Sequence, residues 1–180
     1  MGNIFLYRHG DDLNPDSDDE KLSWQGFNDA QSAGKAIAEI INDRWMLFRK
    51  KKISHEEFGG LLKVHSGTLR TKEFLENMVE AVEKNFSSAP LNFYGDSIDV
   101  SSSDIYRKGK EKILEISEFC YPLAKTQFIV GHNPGIVKSV NYYLTEKGFD
   151  FNGDENLLKA TPKGKGYWIN TIDKSIKTID

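Results

Sequence analysis

The chain has 180 residues, with 24 Lys and Arg against 27 Asp and Glu and a net charge of −3. That length suits one domain, and 38% hydrophobic with 12% aromatic residues supplies a packed core, which excludes a disordered chain. The single cysteine, Cys120, excludes an internal disulfide and a thiolate zinc cage, and the near-neutral charge argues against a general nucleic-acid binder.

Asn3 to Tyr7 is short, apolar and β-prone, and runs directly into Arg8-His9-Gly10. It predicts a buried strand that ends in a loop over about 10–22. Ser23 is a plausible helix N-cap. Phe27, Ala30, Ile37, Ile41, Trp45 and Phe48 then recur at helical spacing and predict a long helix over about 24–49. The next stretch breaks the pattern, so residues 43–62 are a candidate insertion within a single domain spanning 1–180. Leu61 to His65 predicts a second strand. Ser66 is placed as the cap of a second helix that buries Leu75, Met78, Val82 and Phe86. A third helix is expected over 104–120, with Ile113, Ile116 and Phe119 inward and Cys120 among the packing. Gln127 to Gly131 predicts a buried strand. Asn133-Pro134 reads as a helix start, with Asn at the N-cap and Pro at the first helical position. That helix carries Ile136, Val140, Tyr143 and Leu144. Strands are expected at 157–161, 167–172 and 175–179, with a turn at Asp173-Lys174.

Strands alternating with helices predict a three-layer α/β/α sandwich around a mostly parallel sheet. No apolar run is long enough to span a bilayer, and the first residues show no secretory pattern. The expectation is a soluble cytoplasmic protein without membrane contact.

In open α/β sheets, ligands bind beyond the carboxyl ends of the strands. Three polar groups stand at those ends: Arg8-His9, Ser66 to Arg70, and Gly131-His132-Asn133. Two arginines and two histidines converging there make an oxyanion site. Arginine forks match phosphate oxygens and keep their charge. Like charge nearby lowers a histidine's proton affinity, which leaves one imidazole as a nucleophile and the other as a protonated or donating partner. The scheme needs no metal and no cofactor, and the four histidines lack HExxH-like spacing. Lys163-Gly164-Lys165-Gly166 reads as a turn before a strand, since a lone G-x-G is weak evidence for phosphate binding. His55 and His65 read as structural residues.

Four segments in order, IFLYRHG, LSWQGFNDAQSAGKAIA, VHSGTLRTKEF and FIVGHNPGI, resemble the histidine phosphatase superfamily, with its phosphoglycerate-mutase-like fold. They span about residues 3 to 137. The compact length and the opening RHGDD are most similar to SixA-like phosphohistidine phosphatases. The resemblance implies that His9 is phosphorylated during turnover. It implies that Arg8, Arg70 and His132 line the phosphate pocket, with groups near Asn133 contributing. The expected partner is a phosphohistidine protein or a phosphorylated small molecule. Larger relatives carry an acid that protonates the leaving group. Here Asp11, Asp12, Asp96, Asp99 and Asp104 stay open for that role. A phosphohistidine leaves as imidazole and needs a dedicated acid less than an alcohol does.

Two other readings compete. The same pocket could serve a non-catalytic phosphate-binding module, although its four polar residues are intact. The acidic loop 11–20 could flank a site and the basic helix end 44–52 a partner or an anionic ligand, although Trp45 and Phe48 continue the apolar stripe and point to core packing.

Overall fold

The computed structural model describes residues 2–13, 21–50, 60–86, 91, 93, 95–99 and 125–179. The expected third helix at 104–120, Asp104, Cys120, His55, Lys51 and Lys52 lie outside the described residues. The elements in chain order are β1 (Asn3–Arg8), α1 (Trp24–Arg49), β2 (Leu61–His65), α2 (Leu69–Asn85), β3 (Ile98–Asp99) and β4 (Thr126–Gly131). They continue with α3 (Gly135–Thr145), β5 (Asp150–Asn152), a 3₁₀ turn (Glu155–Leu158), β6 (Gly166–Asn170) and β7 (Ser175–Ile179).

These strands form one seven-stranded sheet in the order β3-β2-β4-β1-β6-β7-β5. Strands β3, β2, β4 and β1 run parallel. Strand β6 is antiparallel to β1 and β7, and β5 is parallel to β7. Alternation along each strand feeds two cores, because successive side chains leave opposite faces. Ile4 and Leu6 of β1, Leu62 and Val64 of β2 and Ile129 of β4 pack with Ile136, Val140 and Tyr143 of α3. Phe5, Tyr7, Phe128 and Val130 face the other way, onto α1 and α2. The result is the expected three-layer α/β/α sandwich with a mixed, mostly parallel sheet.

Register sets the position of the candidate site residues. Arg8 pairs with Gly131 across β1 and β4, and His65 pairs with Val130 across β2 and β4. The residues that follow, His9, His132 and Ser66, therefore emerge along one rim of the sheet.

Several local expectations are corrected. Thr68, not Ser66, caps α2, and its side chain accepts from Thr71 N–H. Pro134 occupies the N-cap of α3, and Asn133 lies outside the helix with its amide turned elsewhere. Phe27 is 37% exposed and stacks on exposed Trp24 instead of entering the core. The segment expected as a strand at 157–161 begins inside a 3₁₀ turn capped by Asp154. Residues 43–49 are the end of α1, where Trp45 packs on Phe86 and Arg44 pairs with Asp173 at 3.3 Å. Leu61 and Leu62 belong to β2, so the middle of the candidate insertion, 51–59, is outside the described residues.

Candidate active site

His9 and His132 face each other where β1 and β4 end, with ring centroids 4.5 Å apart. Both rings are buried. His9 Nδ1 lies 2.7 Å from the Gly10 carbonyl. A carbonyl only accepts, so Nδ1 carries the proton and Nε2 keeps its lone pair. Burial, and then the Arg70 and Arg8 guanidiniums, lower the His9 pKa to about 4, against opposing contributions from the Gly10 carbonyl and Asp12. Arginine charge is the reason for a neutral ring that the sequence suggests. Desolvation is the larger cause.

The loop after His9 is held by the first turn of α1. Ser23 caps that helix by accepting from Gly26 N–H, and its own N–H donates to the Asp11 carbonyl at 3.0 Å. A Cβ on Gly26 would fall 2.0 Å from that carbonyl, and one on Gly10 would fall 2.6 Å from Gly26 Cα. The Leu-Ser-x-x-Gly pattern thus has a mechanical meaning: a cap and a bare backbone let the helix start press directly on residues 10 and 11.

His132 is oriented from both sides. Arg70 Nε–H donates to its Nε2 at 3.3 Å, which makes Nε2 the acceptor. Nδ1–H then donates to Ser66 Oγ at 2.9 Å. Ser66 passes the chain to Thr71 Oγ1, which donates to the Thr68 carbonyl at 2.8 Å. Burial first, then His9, Arg70 and Arg8, lower the His132 pKa to about 2. The expected second histidine, protonated or donating towards the pocket, is therefore a neutral ring that accepts from Arg70.

Arg8 NH1 donates to the Thr161 carbonyl at 2.7 Å, and Asn133 Nδ2 donates to the same oxygen at 2.8 Å. Asn133 Oδ1 is buried without a hydrogen-bond partner among the described residues. The four acid candidates among the described residues separate cleanly. Asp12 is buried, 3.9 Å from His9 Nδ1, 3.6 Å from Arg70 NH1 and 3.2 Å from Lys163 Nζ. Asp11 is half exposed and pairs with Lys163 and Ser23, and the Lys163 hydrogen bond leads the causes that hold its carboxyl below the usual range. Asp96 and Asp99 are exposed and line a different groove, with Lys63, His65 and Lys72. His65 is buried and accepts from Gly67 N–H, apart from this cluster. Among the described residues no group of three or more His, Cys, Asp or Glu side chains is arranged to hold a metal ion.

Sequence reasoning missed the segment 161–165. The Thr161 carbonyl anchors Arg8 and Asn133, Gly164 N–H donates to the His9 carbonyl, and Lys163 reaches both Asp11 and Asp12. Its signal was the Lys-Gly-Lys-Gly run, read only as a turn. Gly164 does sit in the left-handed region, at φ 74°.

No family model and no curated protein matches the chain. Solved structures do match its fold. A SixA protein of Agrobacterium tumefaciens, described as a candidate phosphohistidine phosphatase, aligns over 99% of this chain and 95% of its own at 17% identity and TM-score 0.56. The protein histidine phosphatase SixA complexed with tungstate aligns over 99% and 94% at 13% identity and TM-score 0.51. A candidate alpha-ribazole-5′-P phosphatase of Escherichia coli aligns over 99% and 95% at 12% identity and TM-score 0.51. The chain therefore has the phosphoglycerate-mutase-like fold of these structures, along nearly its whole length.

Proposed function

We propose that the protein is a phosphatase that transfers a phosphoryl group to His9 Nε2 and then to water, without a metal. The observation that carries this reading is the His9 ring itself: buried, neutral, with its proton on Nδ1 and its lone pair on Nε2 beside two arginines. A neutral imidazole fixed in that tautomer is a competent nucleophile at neutral pH. Arg8 and Arg70 supply fixed positive charge for the phosphoryl oxygens, where preorganised donors stabilise charge that develops in the transition state. His132 accepts from Arg70, and an incoming dianion raises its proton affinity, turning it into a donor. Asn133 shares the Thr161 carbonyl with Arg8 and belongs to the same wall.

The favoured substrate is protein phosphohistidine. Asp12, the described carboxylate beside His9, approaches Nδ1 and has its oxygens committed to Lys163 and Arg70. A site with no poised acid among the described residues suits a leaving group such as imidazole, which accepts a proton near neutral pH. SixA proteins of the same fold point the same way. A phosphorylated metabolite is the second reading, supported by the ribazole phosphatase likeness.

The test is a substrate panel in chelator: phosphohistidine peptide, an aryl phosphate and sugar phosphates, with wild type and His9→Ala. The expected result is turnover in chelator, fastest on phosphohistidine, and loss of at least about 1,000-fold in His9→Ala. Activity that survives His9→Ala would overturn the mechanism. A protein that binds phosphate in both forms and turns over in neither would be a binding module.

A further inference from the structure

The Nδ1 side of His9 holds a charged pair that the reaction scheme above does not use. Asp12 is buried, and its Oδ2 lies 3.9 Å from His9 Nδ1. That is too long for a hydrogen bond, and the Gly10 carbonyl at 2.7 Å already accepts the Nδ1 proton. Gly10 fixes the tautomer, so Asp12 is left with a purely electrostatic reach. Lys163 Nζ, 3.2 Å from Asp12 Oδ1, and Arg70 NH1, 3.6 Å from Oδ2, hold the carboxylate in place. Lys163 comes from the loop before β6, on the far side of the molecule's sequence.

We propose that Asp12 is the counter-ion of phosphorylated His9, a positioning residue that acts through the ring and not on the substrate. The proposal rests on His9 being the nucleophile. When the Nε2 lone pair forms the N–P bond, the bond from phosphorus to the leaving atom breaks and its electron pair departs with the leaving group. The ring keeps its Nδ1 proton and becomes a cation. When water then attacks phosphorus, the N–P electrons return to Nε2, the ring is neutral again, and the water's proton goes to solvent. Charge on the ring therefore rises in the first step and falls in the second. A fixed negative charge beside Nδ1 favours the first and opposes the second. In a buried site such a charge is weakly screened, which gives it leverage. Among the described residues, the charged and titratable groups that face His9 are Arg8, Asp12, Arg70 and His132, and of these Asp12 is the negative one.

The signature is a split that a merely structural role would not produce. In Asp12→Asn, phosphoryl transfer to His9 slows by roughly 10- to 100-fold, and phospho-His9 breaks down several-fold faster. Both rates come from rapid-quench experiments with an aryl phosphate, following acid-labile, alkali-stable label on the protein. The acid limb of kcat/KM, which reports the free enzyme, moves to lower pH, because the ring loses the charge that favours its protonation. Lys163→Met removes an opposing cation and moves the limb to higher pH. This second variant carries the test if Asp12→Asn fails to fold. Two steps slowed alike, or limbs unmoved in both variants, would overturn the counter-ion role. Absence of acid-labile label in wild type would instead overturn the nucleophile assignment, so the two failures are distinguishable.

Discussion

His9 and His132 enter the folded protein as uncharged rings, and the consequence appears in acid. Their pKa values are lowered from 6.5 to about 4 and about 2, with burial as the leading cause. Below pH 6.5 the unfolded chain takes up a proton at each ring while the folded chain does not. Stability therefore falls as pH falls from 6.5 towards the folded values. For His9 alone the loss amounts to about 3 kcal/mol by pH 4. Urea unfolding at pH 7, 5 and 4 checks this, and His132→Asn should lose less than wild type across the same range. Equal losses in the two proteins would show that the His132 ring is not a source. Ser66 belongs to the same scale. A serine ahead of an amphipathic helix suggests a cap, yet an offset of two residues hands the cap to Thr68 and turns Ser66 towards His132. The four polar residues of the pocket were legible because the short segment that holds each one stands at the end of a β-prone run. The hydrogen-bonding role of His132 was not, because its tautomer depends on Ser66 and Arg70, more than sixty residues away in sequence.

At the scale of elements, α1 and α2 are the pair that carries the site's two halves, since α1 braces the His9 loop and α2 carries Arg70. Their contact depends on Gly34. A Cβ there would fall 2.4 Å from the Met78 carbonyl oxygen and 2.5 Å from Ala81 Cβ, and backbone cannot step aside cheaply. Gly34→Ala gains about 1 kcal/mol of helix propensity but overpacks the crossing by more. A net loss of roughly 1–3 kcal/mol is expected, read as a fall of several degrees in Tm. An unchanged Tm would mean that the helices can separate without penalty. Helix α1 was readable from end to end, because twenty-six residues sustain one period between a serine cap and a basic last turn. The span 157–161 was misread because Leu157 and Leu158 face the α3 core from a 3₁₀ turn, where apolar neighbours mimic a strand. Period alone does not separate such short runs.

At the scale of the whole molecule, chain topology assembles the site from both ends of the sequence. Strand β1 lies between β4 and β6, and β6 is antiparallel to it, so Gly166 pairs with Tyr7. The residues before β6 therefore arrive at the rim where β1 ends, which is how Thr161 and Lys163 come to meet Arg8 and Asp12. That encounter depends on strand register, which no local pattern encodes. It also changes the meaning of a net charge of −3. The total describes the surface, whereas an anion in the pocket meets the local charge of Arg8 and Arg70. An oxyanion shaped like phosphate should thus bind tightly and stabilise the fold by mass action. At a hundredfold excess over Kd the stabilisation is about 2.7 kcal/mol. For a chain of this size that raises Tm by roughly 5–10 °C. Tungstate is a suitable probe in a thermal-shift assay. Buried charge is poorly screened, so the shift should persist at high salt, unlike binding to a surface patch. Arg70→Met should abolish it while leaving the shift from unrelated stabilisers intact. A shift that disappears with added salt, or survives in Arg70→Met, would place the anion on the surface and not between the two histidines.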